Sequence, residues 1–153
     1  MLKAMKARVQ HLLLFCRLIN KIIIMSSPKK VLLAEDDKDD QIFFGIFLNE
    51  RIDIDLLPAV MNGAELIDTL KDAPALPDLI ILDQNMPKLN GLQTLQYLKS
   101  DPRYSAIPVI LYSTYIDENL VNDGVQAGAA YVVSKPTDKP GYNKMIEEIL
   151  EIV

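Results

Sequence analysis

Short runs of apolar residues alternate with helix-like stretches along most of the chain. The apolar runs contain consecutive large side chains, which is typical of strands buried on both faces of a parallel sheet. We predict five strands, at residues 31–34, 52–57, 79–83, 108–112 and 131–134, of which the second is the weakest. Because a helix-like stretch separates each strand from the next, we expect an α/β fold, a parallel sheet with helices on both sides.

The stretches between the strands carry apolar residues at helical spacing. We predict helices at residues 39–50, 62–71, 91–100, 118–127 and 142–152. The last has one apolar face, made of Tyr142, Ile146, Ile149 and Val153. The acid-rich stretch 37–40, with Asp37, Asp39 and Asp40, is interpreted as favourable charge at the positive end of the first helix.

Charged and polar residues stand at the carboxyl ends of four predicted strands. Their order is Glu35 and Asp36 after the first strand, Asp83 at the end of the third, Ser113 after the fourth and Lys135 after the fifth. In a parallel sheet these ends share one edge, where open α/β sheets bind ligands. Several carboxylates there repel one another unless a cation neutralises them. A hard divalent cation such as Mg²⁺ suits such oxygen ligands.

The same residues suit transfer of a phosphoryl group to Asp83. An aspartate carboxylate is a known type of phosphoryl acceptor. The transition state spreads charge over three oxygens, which a metal ion, an ammonium group and a hydroxyl group can stabilise. Mg²⁺ on Glu35 and Asp36, together with Lys135 and Ser113, would supply these groups. Each residue alone has an ordinary explanation as a cap or turn, so the prediction depends on their joint occurrence.

Four motifs extend this pattern over nearly the whole chain from about Lys30 to Val153. They are VLLAEDD at 31–37, LDQNMP at 82–87 with Asn90-Gly91, PVILYS at 108–113, and AGA at 127–129 followed by Lys135-Pro136. With these motifs the chain resembles a bacterial response-regulator receiver domain, and most of all the single-domain type without an output module. The resemblance implies a flavodoxin-like, doubly wound (βα)5 fold with strand order 2-1-3-4-5.

The resemblance also implies residue roles. Asp83 would accept a phosphoryl group from a sensor histidine kinase or a phosphotransfer protein, and the changed surface would bind a downstream protein. Asp36 and Asp83 would ligate Mg²⁺ directly, Glu35 through water, and Asn85 through its backbone carbonyl. Lys135 would pair with the phosphoryl group, and a cis Lys135-Pro136 bond is compatible with the family. The chain would be a cytoplasmic phosphoprotein that acts in a phosphorelay, not an enzyme, and it is compatible with a homodimer.

One position departs from the family pattern. Receiver domains usually carry an aromatic switch residue on the fifth strand, four positions after the glycine equivalent to Gly128. This chain has Val132 there, and its aromatic neighbour is Tyr131. Because adjacent strand residues face opposite ways, Tyr131 is not expected to replace the missing aromatic. The sequence leaves open how modification of Asp83 is transmitted.

The first 24 residues differ in charge from the rest. They carry a net charge of +5 and the remainder −10, for a total of −5. Arg17 and Lys21 interrupt their apolar runs, so we expect neither a membrane span nor a secretory signal. A basic amphipathic helix on a membrane surface is one interpretation. A dispensable or mis-assigned extension before Met25 is the preferred one, which leaves residues 25–153 as the receiver domain.

Composition excludes several other functions. The acidic body is a poor partner for nucleic acid. A single cysteine precludes an internal disulfide, and a single histidine precludes a multi-histidine metal site. Two alternatives stay open. One is a phosphorylation-independent adapter of the same fold. The other, less favoured, is a phosphatase with Asp83 as nucleophile, although Asn85 stands where haloacid-dehalogenase-like enzymes carry a second acid.

Overall fold

The chain folds around one parallel sheet of five strands. This computed structural model describes residues 1, 5, 8–15 and 27–151. The strands are β1 (Lys29–Ala34), β2 (Ile54–Leu56), β3 (Leu79–Asp83), β4 (Val109–Ser113) and β5 (Tyr131–Ser134). Their order is β2-β1-β3-β4-β5, and every neighbouring pair is parallel. The predicted flavodoxin-like topology is confirmed.

Five helices connect and cover these strands within residues 27–151. They are α1 (Lys38–Leu48), α2 (Gly63–Asp72), α3 (Gly91–Ser100), α4 (Glu118–Gln126) and α5 (Lys139–Leu150). Each begins after an aspartate or asparagine whose side chain accepts from backbone N–H groups of the first turn, namely Asp37, Asn62, Asn90, Asp117 and Asp138. These caps satisfy donors that a helix start leaves without partners, and they fix where each helix leaves the site edge.

Successive residues of the central strands feed two separate cores. On one face, Leu32, Ile80 and Leu111 pack with buried residues of α2 and α3. On the other, Val31, Ile81 and Tyr112 pack with buried residues of α1 and α5. This alternation follows from the period of two along a strand and explains why consecutive residues of β3 are all buried.

Two predicted elements differ from the structure at their ends. The second strand begins at Ile54, and Ile52 is 90% exposed instead of lying in the sheet. The last helix begins at Lys139, three residues before the predicted start, with Asp138 as its cap. Tyr142, Ile146 and Ile149 form its buried face as predicted, while Val153 lies outside the described residues.

Residues 8–15 are helical, and their apolar side chains are exposed. Within the described ranges, every helix is too short or too polar to traverse a lipid bilayer.

Candidate functional site

The predicted site residues meet at the carboxyl edge of the sheet. Glu35 follows β1, Asp83 ends β3, Ser113 ends β4, and Lys135 follows β5. The backbone N–H of Lys135 donates to the carbonyl oxygen of Ser113 at 2.9 Å, which ties the last of these positions to its neighbour. Parallel pairing of β1, β3, β4 and β5 therefore assembles groups that are far apart in the sequence.

Three carboxylates form a compact cluster at this edge. Glu35, Asp36 and Asp83 each offer one oxygen within 4.8 Å of the others. Glu35 is fully buried and Asp83 is 2% exposed, whereas Asp36 is partly exposed to solvent. Buried carboxylates this close require compensating positive charge.

Lys135 supplies positive charge at the centre of the cluster. Its Nζ lies 2.8 Å from Glu35 Oε2, 2.9 Å from Asp40 Oδ2 and 3.3 Å from Asp83 Oδ1. Its side chain is only 12% exposed, so these contacts are poorly screened by water. One ammonium group thus stands among three carboxylates.

One carboxylate oxygen of Asp83 is buried without a hydrogen-bond donor among the described residues. Among the described residues, no hydrogen-bond donor reaches Asp83 Oδ1 in suitable geometry, although the atom is buried. Asp36 adds a further negative charge beside it. A buried, unsatisfied carboxylate oxygen among other carboxylates fits a hard divalent cation, which prefers oxygen ligands.

The electrostatics of the site reflect this excess of acid. Burial raises the pKa of Asp83, and the opposing attraction of Lys135 does not cancel the effect. Burial also raises the pKa of Glu35 against its hydrogen bonds from Lys135 and Tyr112. For Lys135, burial lowers the pKa, but hydrogen bonds to Glu35 and Asp40 outweigh it and the pKa is raised. Lys135 is therefore a permanent cation, while burial makes the charged forms of Asp83 and Glu35 less favourable.

Tyr112 is part of the site although it belongs to the core of the sheet. Its hydroxyl donates a hydrogen bond to Glu35 Oε2, and its ring centre lies 4.9 Å from Lys135 Nζ. The side chain is fully buried. Tyr112 thereby holds the carboxylate and the ammonium group of the Glu35–Lys135 pair in one place.

The side chains of Ser113 and Asn85 lie next to each other in the site. Asn85 Nδ2 lies 3.5 Å from Ser113 Oγ, and the backbone N–H of Tyr115 lies 3.4 Å from the same oxygen. These contacts are long, so the serine hydroxyl is only loosely held.

The peptide bond between Lys135 and Pro136 is trans, so the cis form that the resemblance allows is not adopted here.

The fifth strand places Val132 and Tyr131 on opposite faces, as predicted. Val132 packs against the core that contains α2 and α3, and its Cγ2 lies so close to α4 that a Cβ at Gly124 would stand 2.6 Å away. Tyr131 is 45% exposed and belongs to neither core. Tyr131 thus does not occupy the position of the missing aromatic.

Two site residues, Asp40 and Tyr112, were not predicted. The sequence accounts for Asp40 as a charge at the helix dipole alone, although this residue lies in the first turn of α1, which begins at the site edge. Tyr112 precedes Ser113, and strand alternation puts it on the same face as Glu35 and Asp83. A tyrosine at the end of an aliphatic strand needs a partner for its hydroxyl, and this signal could have identified it.

Known proteins of similar sequence and fold agree with this geometry. DivK, the polar-differentiation response regulator of Brucella anthropi, is 29% identical over 133 residues, which cover 80% of this chain and 97% of DivK. The phosphorylated cyanobacterial phytochrome response regulator RcpA is 28% identical, with a TM-score of 0.72 over 81% of this chain and 92% of RcpA. The Mn²⁺-bound form of response regulator Rcp1 is 27% identical, with a TM-score of 0.69 over 80% and 91% of the two chains.

The chain also matches the model of a whole protein family. The model of the response regulator receiver domain matches residues 31–147, which include every strand from β2 to β5, most of β1, and all the site residues described above. Fold, strand-end chemistry and sequence therefore lead to one result: the chain belongs to the response regulator receiver domain family of two-component systems.

Proposed function

We propose that the chain is a phosphorylation switch in which Asp83 accepts a phosphoryl group from a sensor histidine kinase or a phosphotransfer protein. The observation that carries the proposal is the position of Asp83, a nearly buried carboxylate with an unsatisfied oxygen, 3.3 Å from the ammonium group of Lys135. The modified surface would bind a downstream protein. Nucleic acid is not an expected partner because the domain is acidic.

The residues present fit Mg²⁺ as the metal of this reaction. Asp36 and Asp83 would hold it directly, Glu35 through water, and Asn85 through its backbone carbonyl. The close approach of three carboxylate oxygens and the Mn²⁺-bound form of Rcp1 support a divalent ion here. When bound, Mg²⁺ neutralises the carboxylates and draws negative charge from the phosphoryl oxygens.

The side chains of the site divide the remaining work. A carboxylate oxygen of Asp83 forms the new bond to phosphorus while the bond from phosphorus to the donor breaks, and the donor leaves with the electron pair. The ammonium group of Lys135 and the hydroxyl of Ser113 stabilise charge on the phosphoryl oxygens. Glu35 and Tyr112 hold Lys135 in position through the contacts described above.

Incubation with Mg²⁺ and acetyl phosphate, followed by intact-mass measurement, tests the proposal. We expect a mass gain of one phosphoryl group on the wild-type protein and none on Asp83→Asn. Asp123→Asn removes an exposed carboxylate of α4 and serves as the matched control. A gain that persists in Asp83→Asn would show that the acceptor is another residue.

A phosphatase is the less favoured alternative. The residue two positions after Asp83 is Asn85, whose amide cannot act as a general acid, and its side chain faces Ser113. Sustained release of phosphate from a small phosphomonoester would revive this alternative. An adapter that works without phosphorylation would bind its partner equally well as wild type and as Asp83→Asn.

We also propose that residues 25–153 are sufficient for the chemistry. Every side chain assigned a role above lies in this range, and residues 8–15 expose their apolar side chains. A chain that begins at Met25 should take up phosphate at the same rate and to the same extent as the full chain. Slower uptake by the shortened chain would assign a role to the basic extension.

A further inference from the structure

Lys135 has one partner that the proposed phosphoryl transfer does not use. Asp40 lies in the first turn of α1, and its Oδ2 accepts a hydrogen bond from Lys135 Nζ at 2.9 Å. This contact joins α1 to the loop after β5 across 95 positions of sequence. Asp40 is outside the carboxylate cluster formed by Glu35, Asp36 and Asp83.

Lys135 does not donate hydrogen bonds equally to the three carboxylates around it. An ammonium group has three donors. Two of them are directed to Glu35 and Asp40, at 2.8 and 2.9 Å. Asp83 Oδ1 lies 3.3 Å away, yet it receives no hydrogen bond of acceptable geometry from any described residue. In the unmodified protein, Asp40 therefore accepts a hydrogen bond from Lys135, whereas Asp83 Oδ1 is held by charge attraction to it alone.

The carboxylates of Glu35 and Asp40, which accept hydrogen bonds from Lys135, differ in the energetic cost of losing them. Glu35 is fully buried, so its anion without a cationic partner would be costly. The side chain of Asp40 is 34% exposed, so water can replace the lost hydrogen bond. When a phosphoryl group on Asp83 attracts Lys135, the hydrogen bond to Asp40 is therefore the one that breaks at the lower cost.

We propose that Asp40 is a positioning residue that draws the ammonium group of Lys135 toward α1 in the unmodified protein, so that Lys135 donates no hydrogen bond to Asp83 Oδ1. A phosphoryl group on Asp83 then draws the ammonium group away from Asp40 and toward a phosphoryl oxygen. This inference rests on the proposed function. Asp40 thereby lowers the fraction of the protein that carries phosphate at a given supply of donor.

The test compares Asp40→Asn with Asp39→Asn. Asn at position 40 keeps the size of the side chain and removes the charge that attracts Lys135. Asp39 lies in the same first turn of α1 and is exposed, so Asp39→Asn reproduces the change in net charge and in the charge near the helix end. Asp40→Glu restores the carboxylate and is the conservative variant.

With Mg²⁺ and acetyl phosphate, intact mass gives the ratio of phosphorylated to unmodified protein at steady state. We expect Asp40→Asn to raise this ratio roughly two- to tenfold. This factor corresponds to the loss of one partly exposed charged hydrogen bond, which favours the unmodified protein. Asp39→Asn should leave it unchanged, and Asp40→Glu should return it toward the wild-type value. The Mg²⁺ concentration that gives half the maximal ratio should stay within about twofold, since Asp40 is not a proposed metal ligand.

The outcomes separate this inference from the function on which it rests. If Asp40→Asn has the same ratio as wild type or a lower one, and phosphorylation still depends on Asp83, the role of Asp40 is overturned and the proposed function stands. The same rise in Asp39→Asn would also overturn it, because the effect would then be one of general charge. Absence of phosphate on the wild-type protein would overturn both.

Discussion

Asp83→Asn is expected to stabilise the fold in the absence of divalent metal ions. Asp83 is 2% exposed, and one of its oxygens is buried without a donor among the described residues. A buried, unsatisfied polar group costs about 1–3 kcal/mol, and more when it is charged, while attraction to Lys135 offsets part of this cost. We therefore expect the free energy of unfolding to rise by about 1–2 kcal/mol at pH 7. For a domain of this size the melting temperature should rise by about 3–6 °C.

The pH dependence of this difference follows from the raised pKa of Asp83. A group with a raised pKa in the folded state contributes stability that is fully present below its unfolded pKa and is lost as the pH rises through the folded value. Above the raised pKa the wild-type protein has lost that contribution, whereas asparagine does not titrate. The stability difference should therefore be largest above the raised pKa of Asp83 and shrink as the pH falls through it toward the ordinary aspartate pKa of about 4.

Urea unfolding followed by far-UV circular dichroism measures the difference, because the chain contains no tryptophan for fluorescence. Asp123→Asn is the control, since it removes an exposed carboxylate of α4. Added Mg²⁺ should stabilise the wild-type protein more than Asp83→Asn and narrow the gap. A variant that is less stable than wild type at pH 7 without metal would refute the description of Asp83 as a buried carboxylate with an unsatisfied oxygen.

Two further substitutions test contacts around the site. Tyr112→Phe removes the hydroxyl that donates to buried Glu35 and should lower the free energy of unfolding by about 1.5–3 kcal/mol, whereas Tyr115→Phe, at a position 74% exposed, should change it little. Equal effects in the two variants would contradict the assigned hydrogen bond. Gly124→Ala should cost about 1–2 kcal/mol in urea unfolding, because its Cβ would lie 2.6 Å from Cγ2 of the stiff Val132 side chain. Val132→Ala in the Gly124→Ala background should recover part of that loss; no recovery would show that the cost arises elsewhere.

The sheet and its strand-end residues were predictable because both depend on simple periodicities. Consecutive apolar residues identified β3, and parallel order then brought Asp83 to the edge shared with Glu35, Ser113 and Lys135. The weak second strand was placed too early. Ile52 is apolar but 90% exposed, since β2 is a short edge strand that begins at Ile54.

The partners inside the site were not predictable from strand ends alone. Whether Lys135 turns to Asp40 or to Asp83 depends on side-chain directions that sequence spacing does not determine. The role of Asp40 was further hidden because an acid in the first turn of a helix already has a sufficient explanation. For Tyr112, the strand pattern indicated burial, and the hydrogen bond to Glu35 required the relative position of two strands.

The Lys135–Glu35 pair also affects when the site can exist during folding. It joins residues that are 100 positions apart. Contacts of long sequence separation are slow to form, and a growing chain emerges from the ribosome with its amino-terminal elements first. A nascent chain that has exposed β1 through β4 therefore presents its carboxylates without their lysine. The proposed phosphorylation site is complete only when β5 joins the edge of the sheet, so a chain without β5 should be a poorer phosphoryl acceptor.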